Sequence, residues 1–200
     1  MVYNHALLVW VQRRKALKKE IGSTLALYPM PVALIGAMNG GKPTWTTVAH
    51  MGIIGHDRVL VSLADAHFIN GRIKETNCLS INLVSETLLP EVDRAGSTTG
   101  AKESKADLLA YAIAGNGAPI AADAPLSMAC SVEDVYYTPG FESFICRIDT
   151  TYVEERHLDE RGKIDYGTLK PVLFDFPGYE YLHCGDVIGK CLSFKDAAAE

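Results

Sequence analysis

The chain of 200 residues has a formal net charge of -5, and 48% of its residues are hydrophobic. That length supports one domain with a full core and leaves little room for a second. The excess of acidic residues argues against sequence-independent binding to nucleic acid, which needs a basic surface. We therefore expect a small-molecule or protein partner and no nucleic acid.

The N-terminus predicts an extension over residues 1–17, helical in character, ahead of a domain over residues 18–195. In the extension the apolar run Ala6–Val11 precedes the basic residues Arg13–Lys15. A secretory signal has the reverse order and a longer run, and a membrane span is longer still. We therefore expect no secretion and no membrane association.

The five cysteines are scattered along the chain and contain no CxxC pair. This usage favours reduced thiols in a cytoplasmic protein over a disulfide framework or a zinc knuckle. A redox pair of Cys184 and Cys191 stays open, although buried and inert thiols are the favoured interpretation.

The first half of the domain is rich in strand patterns. Val32–Met38 is a continuous apolar run and Thr44–His50 is rich in β-branched residues. With the turn Asn39–Lys42 between them, the two runs predict a β-hairpin. Val59–Leu63 predicts a third strand and Leu79–Val84 a half-buried fourth.

Helical patterns interrupt these strands. Phe68–Asn77 carries apolar residues at helical spacing. Ser85–Arg94 predicts a short helix with Ser85 as its N-cap, and we expect Pro90 to kink or end this helix. Gly96–Lys105 predicts a polar loop, and Asp107–Ala114 a further helix.

The remaining segments complete the pattern. Ser127–Tyr137 and Phe141–Glu155 predict two long strands, with a loop at Gly115–Pro125 and an exposed connection at Asp159–Tyr166. Strands do not alternate with full-length helices, so a parallel doubly wound sheet is disfavoured. The chain is therefore predicted to be mainly β with helical insertions (α+β), built as an antiparallel barrel.

The signatures of several enzyme classes are missing. The sequence contains no GxGxxG, GxxxxGK[ST], HExxH or GxSxG motif. Rossmann and P-loop nucleotide binding therefore have no support, and neither the histidines nor the cysteines have metal-ligand spacing. We predict no metal site and assign no catalytic acid or base.

Polar residues nevertheless cluster where a phosphorylated ligand could bind. Thr44, Thr46 and Thr47 place three hydroxyls on or beside one strand, and His67 precedes a predicted helix whose first turn offers backbone N–H groups to an anion. The loop Ser97–Gly100, with Lys102 and Lys105 after it, could wrap a phosphate. On composition alone, ordinary solvated strands and loops remain the simpler explanation.

Five segments taken in order resemble the flavin reductases of the flavoredoxin type, which are FMN-binding split-barrel proteins. The resemblance extends from Lys19 to Phe194. Its segments are Lys19–Gly22 (KEIG) followed by Tyr28–Gly36 (YPMPVALIG), Gly41–His50 (GKPTWTTVAH), His67–Leu83 with its IKE and SINL steps, Thr99–Lys105 (TGAKESK), and Tyr179–Lys190 with its YEY and GDVIGK steps.

The resemblance implies an antiparallel FMN-binding split β-barrel that forms a homodimer, with FMN at the subunit interface. It implies that Thr47 and Ala49 contact the flavin and that Asn82 supports the site. His67 and Phe68 would lie near the phosphate or the ring. The full set of predicted cofactor-binding residues is Thr44, Thr46, Thr47, Ala49, His50, His67, Phe68, Asn82, Thr99 and Lys105.

Some positions depart from the family pattern. Thr44 stands in place of an asparagine and His50 in place of a tryptophan. Ala64 and Asp65 stand where a basic residue is common, and Ile69 replaces a threonine. The loss of a cation and a hydroxyl beside the phosphate is expected to weaken FMN binding.

The function implied is that of a flavoprotein oxidoreductase. FMN would take electrons from NAD(P)H or from a redox-partner protein and pass them to flavin or another acceptor. Two alternatives stay open. One is an FMN-binding electron carrier without catalytic activity, and the other is a degenerate split barrel that acts as a dimeric scaffold.

Overall fold

The computed structural model describes residues 18–193, and its central element is a curled sheet of seven antiparallel strands. These strands are β2 (Ala33–Asn39), β3 (Lys42–Val48), β4 (Met51–Ile53), β5 (Arg58–Ala64), β6 (Cys78–Leu83), β9 (Leu126–Thr138) and β10 (Phe141–Val153). Their order across the sheet is β3-β2-β6-β9-β10-β5-β4.

Smaller elements surround this sheet. Strands β1 (Met30–Pro31), β11 (Leu173–Asp175) and β12 (Glu180–Leu182) form a three-stranded sheet, and β7 (Tyr111–Ile113) pairs with β8 (Pro119–Ala121). The helices are α1 (Phe68–Thr76), α2 (Leu89–Ser97) and α3 (Tyr166–Leu169), with 3₁₀ turns at Glu86–Leu88 and Glu155–His157.

The chain connectivity forces the sheet to curl. Strands β3 and β4 lie at opposite edges of the sheet, and a flat sheet of seven strands would hold them about 29 Å apart. Only Ala49 and His50 connect them, and three Cα steps reach about 11 Å. The two edges must therefore meet, and the Ser62 backbone N–H donates to the His50 carbonyl, 2.9 Å away, where they do.

Strand β2 buries both of its faces, which explains why its sequence is apolar throughout. Ala33, Ile35 and Ala37 point into the barrel core with Leu63, Phe144 and other buried residues. Val32 and Leu34 flank the opposite face and pack in a second cluster with Trp45 and α2. Helix α2 thus covers the outer side of the sheet next to β3.

A close contact between the hairpin strands depends on a glycine. Gly36 pairs directly with Trp45 across the hairpin, and both residues lie at the second apolar cluster. A Cβ atom on Gly36 would lie 2.4 Å from Trp45 Cζ3 and 2.6 Å from Ser80 Oγ. The indole ring therefore occupies the space that a side chain at position 36 would need.

Most of the predicted elements are confirmed. The hairpin turns at Asn39–Lys42, with those two residues paired, and the predicted third and fourth strands are β5 and β6. The prediction that the fourth strand is half-buried is wrong, since every residue of β6 is buried between the sheet's two covered faces. The predicted helix at Phe68–Asn77 is α1, which ends at Thr76 with Asn77 as its left-handed C-cap. The mainly β, α+β architecture is also confirmed as an antiparallel half-barrel.

The helix predicted over Asp107–Ala114 is wrong. Tyr111–Ile113 is strand β7, and it pairs with β8, which lies within the segment predicted as the loop Gly115–Pro125. Ala114 and Ala118 pack against Cys78 and Ala129. These small side chains permit close packing against β6 and β9.

The second helix also differs from its prediction. Ser85 precedes a 3₁₀ turn, but its hydroxyl lies 3.0 Å from that of Thr87 and caps no backbone group. Pro90 lies in the first turn of α2 instead of ending the helix, because proline fits the first turn, where no N–H partner is needed. Helix α2 then continues to Ser97, so the polar loop begins at Thr98.

Some sequence-based expectations lie beyond the described residues. The helix predicted for the extension over residues 1–17 does, and so do residues 194 and 195 at the end of the predicted domain. Among residues 18–193, no helix has the length and apolar character that a membrane crossing requires.

Replacing Gly36 by alanine should destabilise the fold. The added Cβ would force the Trp45 ring and Ser80 to move, and such overpacking costs about 1–3 kcal/mol. We expect a lower urea midpoint for Gly36→Ala with an unchanged m-value. Gly52→Ala is the matched control, since nothing lies within 4 Å of the added atom on this other strand glycine. Equal midpoints for the two variants would contradict the role of the contact.

Candidate functional site

A groove runs along the outer edge of β3, between the start of α1 and the end of α2. It consists of three adjoining cavities. The polar cavity has a volume of about 290 Å³ and is lined by residues that include Thr44, Thr46, His67, Phe68, Thr99 and Lys105. The middle cavity, of about 410 Å³, is lined by Thr47, Ala49, Asp93, Phe174, Tyr179 and Tyr181 among others.

The third cavity, here called the aromatic cavity, has a volume of about 260 Å³. Its lining includes Tyr28, His50, Phe141, Phe174 and Phe176. The cavities share walls: Gly96 and Ser97 line both the polar and the middle cavity, and His67 lines both the polar and the aromatic cavity. The groove therefore offers one elongated ligand a polar end and an aromatic end.

The floor of the polar cavity carries a buried cation. Lys105 is only 6% exposed, and its ammonium group donates to the carbonyls of Trp45, at 2.9 Å, and of Ala95, at 2.6 Å. Burial lowers the pKa of Lys105, and the charge of Glu103 opposes that shift. Within residues 18–193 no carboxylate forms an ion pair with it. An anion in the cavity would supply the missing negative charge.

Hydroxyl and imidazole groups line the wall opposite Lys105. Thr44 and Thr46 are buried on the face of β3 that looks toward α1, and Thr46 Oγ1 lies 3.3 Å from His67 Nδ1. Burial, together with the charge of Lys105, lowers the pKa of His67. A neutral imidazole and two hydroxyls are thus available as hydrogen-bonding partners for an anion.

Helix α1 begins at the edge of this cavity. His67 is its N-cap residue, but the imidazole makes no capping hydrogen bond. The first backbone N–H groups of a helix have no partner within the helix, and the helix dipole favours a negative charge there. Phe68, the first helical residue, lines the same cavity. The helix terminus therefore adds backbone donors to the polar cavity, as its sequence predicts.

The loop after α2 closes the cavity against β3 and α1. A Cβ atom on Gly100 would lie 2.7 Å from Phe68 Cδ1 and 2.8 Å from Thr44 Oγ1. The backbone of this loop therefore approaches the wall more closely than any residue with a side chain would permit. Thr99 lines the cavity beside it, and its carbonyl accepts from the N–H groups of Lys102 and Glu103, which fixes the loop as a turn.

The backbone edge of β3 faces the middle of the groove. Strand β3 pairs with β2 on one side only. In an antiparallel pair the N–H and C=O of one residue point to the same side and alternate along the strand. Since the Trp45 carbonyl points outward to Lys105, the N–H and C=O of Thr47 point outward as well. This donor and acceptor suit the polar edge of a planar heterocycle.

The side chain of Thr47 contacts α2, and the residues after it turn into the groove. The Thr47 hydroxyl donates to the Val92 carbonyl, which fixes the position of the strand end. Strand β3 ends at Val48, so Ala49 and His50 lie in the connection to β4, where both line the aromatic cavity. The predicted strand over Thr44–His50 thus has the observed length but is shifted by two residues toward the C-terminus.

The outer wall of the groove comes from the C-terminal part of the chain. The Tyr181 hydroxyl donates to Asp93 Oδ1, 2.9 Å away, and so ties β12 to α2. Burial and the bond to Asp93 raise the pKa of Tyr181 to about 12. Tyr181 therefore stays protonated and holds this wall at neutral pH.

Asn82 is the one predicted binding residue that the structure places away from the groove. It is fully buried between strands, and its amide group donates to the Leu34 carbonyl and to Ser80 Oγ, each at 2.9 Å. Its oxygen accepts from the Ala121 N–H and from Ser127 Oγ. All four hydrogen-bonding capacities of the side chain are used inside the protein. Asn82 therefore stabilises the contacts among the strands that lie behind β3.

The positions that depart from the family pattern have distinct surroundings. Ile69, which stands where the family pattern has a threonine, is buried in the barrel core and packs against other apolar side chains there. Asp65 is exposed, and Ala64 lines the aromatic cavity. Among the described lining residues of the polar cavity, Lys105 is the one with a formal charge. The cation expected before His67 is thus absent, and Lys105 carries the positive charge of the site.

Sequence reasoning missed the aromatic wall. Tyr28, Phe141, Phe174 and Phe176 come from the N-terminal segment, β10, β11 and the residues after it, and converge on the aromatic cavity. No spacing in the sequence links these residues. Tyr179 and Tyr181 appeared in the C-terminal motif, but nothing in that motif indicated that they line a cavity.

Within the described chain, no cysteine lines the groove. Cys184 and Cys191 are both free, and the Cys184 thiol donates to the Pro171 carbonyl. Burial raises the pKa of Cys146 to about 12, so it is inert as a nucleophile at neutral pH. In the described part of the chain, no three His, Cys, Asp or Glu side chains are grouped to hold a metal ion.

Comparison with known proteins agrees with this architecture. The family model described as flavin reductase like domain matches residues 25–183. The flavoredoxin from Methanosarcina acetivorans is 26% identical, with 91% of this chain and 100% of that chain covered and a TM-score of 0.86. The flavoredoxin of Desulfovibrio vulgaris (Miyazaki F) is also 26% identical, with 88% and 98% covered and a TM-score of 0.82.

More distant structures share the fold. The FMN-binding protein from Thermus thermophilus is 18% identical, with 90% of this chain and 100% of that chain covered and a TM-score of 0.74. No curated protein gives a significant match. The curled antiparallel sheet is therefore a split barrel of the flavoredoxin type. The chain belongs to the family of flavin reductase like domains.

The lowered pKa of His67 makes the stability of the protein depend on pH. The unfolded chain has the ordinary histidine pKa of 6.5, and the folded chain a lower one. Below pH 6.5 the unfolded state therefore binds more protons, and the free energy of unfolding falls as the pH falls through the folded pKa. We expect His67→Gln to lose less stability than the wild type between pH 7 and pH 5.

Urea unfolding at several pH values measures this effect. His56→Gln is the matched control for the chemistry of the exchange, since His56 lies exposed between β4 and β5. An identical pH dependence in the wild type and in His67→Gln would contradict the assignment of a half-buried, neutral imidazole to the polar cavity.

Proposed function

We propose that this protein binds FMN in the groove along β3 and acts as a flavoprotein oxidoreductase. The observation that carries the proposal is Lys105, a buried ammonium group with no carboxylate partner among residues 18–193, beside a cavity of hydroxyl and backbone donors. A phosphate monoester matches this donor set in charge and in hydrogen bonding.

The rest of the groove fits the other parts of the cofactor. Thr44, Thr46, His67, Thr99 and Lys105 would hold the phosphate. The outward N–H and C=O of Thr47 would meet the donor and acceptor atoms of the flavin ring edge. Ala49 and the apolar residues of the middle cavity would cover the ring and keep water from it, and the aromatic cavity beside the ring would stay open.

Bound there, FMN would supply the redox chemistry, taking electrons from one partner and passing them to another. The side chains would bind, orient and shield it. We propose NAD(P)H or a redox protein as the electron donor, and flavin or another small molecule as the acceptor. The free thiols support a reducing, cytoplasmic location.

One observation favours the alternative of an FMN-binding electron carrier. Among the described residues that line the middle and aromatic cavities, none is a lysine or an arginine. The phosphates of a dinucleotide would therefore find no cation there. Anaerobic titration with NADH and NADPH distinguishes the two functions. Bleaching of the flavin bands supports the oxidoreductase, whereas bands that persist and yield only to dithionite support the carrier.

We also propose that the protein forms a homodimer. Large apolar side chains are exposed on the described part of the chain, including Ile53 at 88% and Ile188 at 97%. Exposed apolar area of this kind marks interaction surfaces. Light scattering after size-exclusion chromatography measures the mass. A single-chain mass at micromolar concentration would contradict the dimer.

Loss of the Lys105 charge should remove the preference for the phosphorylated flavin. Lys105→Met deletes a charge-assisted hydrogen bond to phosphate, worth about 1.5–3 kcal/mol, and so should raise the Kd for FMN about 10- to 150-fold. Riboflavin has no phosphate, so its Kd should stay within about threefold. Fluorescence titration with both ligands measures the two constants.

Lys102→Met is the matched control, because Lys102 is exposed on the same loop. Screening by water and salt should hold its effect on FMN to within about threefold. A variant at Lys105 that loses both ligands equally has lost its fold, which circular dichroism would show. Equal Kd values for FMN and riboflavin in the wild type would refute the phosphate site.

A further inference from the structure

The aromatic cavity selects for an uncharged, flat ligand. Within the described chain, its lining contains no aspartate, glutamate, lysine or arginine. An ion that entered would lose its hydration without gaining a counter-charge, which is unfavourable. The walls are phenylalanine and tyrosine rings, which bind planar apolar surfaces by stacking and edge contacts. The cavity thus suits an unsaturated or aromatic compound without formal charge.

A hydrogen-bonded pair of proton-carrying side chains lies in this wall. The Tyr28 hydroxyl is 2.7 Å from His50 Nε2. The Tyr28 ring stacks on Phe176, with centroids 5.7 Å apart, and the His50 ring lies edge-on to Phe141 at the same centroid distance. Because both rings are packed in place, the pair presents its polar atoms at a fixed position.

The other polar side chains of the cavity are less suited to donate a proton. The Thr47 hydroxyl donates to the Val92 carbonyl. Ser62 Oγ accepts from Ser143 and keeps its own proton, but an aliphatic alcohol is a far weaker acid than a phenol. His67 lies against Thr46 at the boundary with the polar cavity. Tyr28 and His50 are therefore the groups best placed to donate a proton to a ligand in the aromatic cavity.

We propose that Tyr28 and His50 act as a proton-donating pair, and that the acceptor reduced at this site is an uncharged conjugated carbonyl compound. The inference rests on the proposed flavin site, since the two electrons come from reduced flavin. A conjugated carbonyl oxygen would accept a hydrogen bond from Tyr28 while the flat carbon skeleton lies between the aromatic walls.

The atoms and electrons of the step balance as follows. The acceptor takes a hydride equivalent, with two electrons from the reduced flavin, at its β-carbon, and its C=C bond shifts to the enolate. The O–H bond of Tyr28 breaks, and the proton passes to the carbonyl oxygen. His50 returns a proton to the phenolate, and water reprotonates His50. The enol then isomerises in water to the saturated carbonyl product.

The test compares an acceptor that needs a proton with one that needs only electrons. FMN-loaded full-length protein is photoreduced without oxygen and mixed rapidly with either 4-phenylbut-3-en-2-one or ferricyanide. Return of the flavin absorbance gives the rate. Tyr28→Phe keeps the ring and removes the hydroxyl. General acid catalysis contributes about 100-fold or more, so the enone rate should fall about 100-fold, and the ferricyanide rate should change by less than about twofold.

The control is Tyr136→Phe, the same exchange on β9 at a side chain that is 62% exposed. Both of its rates should match the wild type. An enone rate that is unchanged in Tyr28→Phe overturns the inference and leaves the proposed function intact. So does a wild-type protein that reduces ferricyanide but not the enone. A protein that retains no flavin refutes the proposed function, and the inference falls with it.

A binding measurement supports the test without any turnover. Calorimetric titration of the oxidised, FMN-loaded protein should detect the enone and should not detect cinnamate, which has a similar shape but carries a negative charge. The Kd for the enone should rise about tenfold in Tyr28→Phe through the lost hydrogen bond. Equal affinity for cinnamate and the enone, or an unchanged Kd in the variant, would overturn the assignment.

Discussion

The groove depends on how Lys105 joins an edge strand to a helix end. Its ammonium group donates to one carbonyl on β3 and one near the C-terminus of α2, where the helix dipole favours a cation. These contacts fix the spacing between strand and helix, and therefore the width of the polar cavity. They use two of the three N–H donors of the buried ammonium group and leave its charge without a counter-charge. The protein thus has a fixed positive charge in the cavity, and a bound anion would neutralise it.

The alternation of a single strand gives the groove its chemical polarity. Thr44 and Thr46 point toward α1, whereas Thr47 points toward α2 and turns its backbone groups outward. Beyond the strand end, His50 meets Tyr28 among phenylalanine rings. One short segment therefore presents hydroxyls, then a backbone donor and acceptor, then aromatic surface. An extended ligand with a charged end and a flat end matches this order.

Residues of a shared family motif need not share a role in the site. Asn82 belongs to the motif that implies a flavin site, yet its amide is consumed by four hydrogen bonds that join neighbouring strands. Its place in the motif follows from the architecture behind β3. The histidine at position 50 shows the reverse case. It departs from the motif, but tertiary contacts give it a hydroxyl partner and a position in the groove.

The sequence by itself determined the strands, the hairpin, α1 and most residues of the polar cavity, because these follow from local patterns. The alternation of a strand, the residues of a turn and the start of a helix can each be recognised within about ten neighbouring positions. Tertiary structure alone decided that Tyr111–Ile113 is a strand and that distant aromatic residues form one wall. It also decided that Lys105 is buried. The physical reason is that these features arise from contacts between segments far apart in the chain, and local propensity carries no record of them.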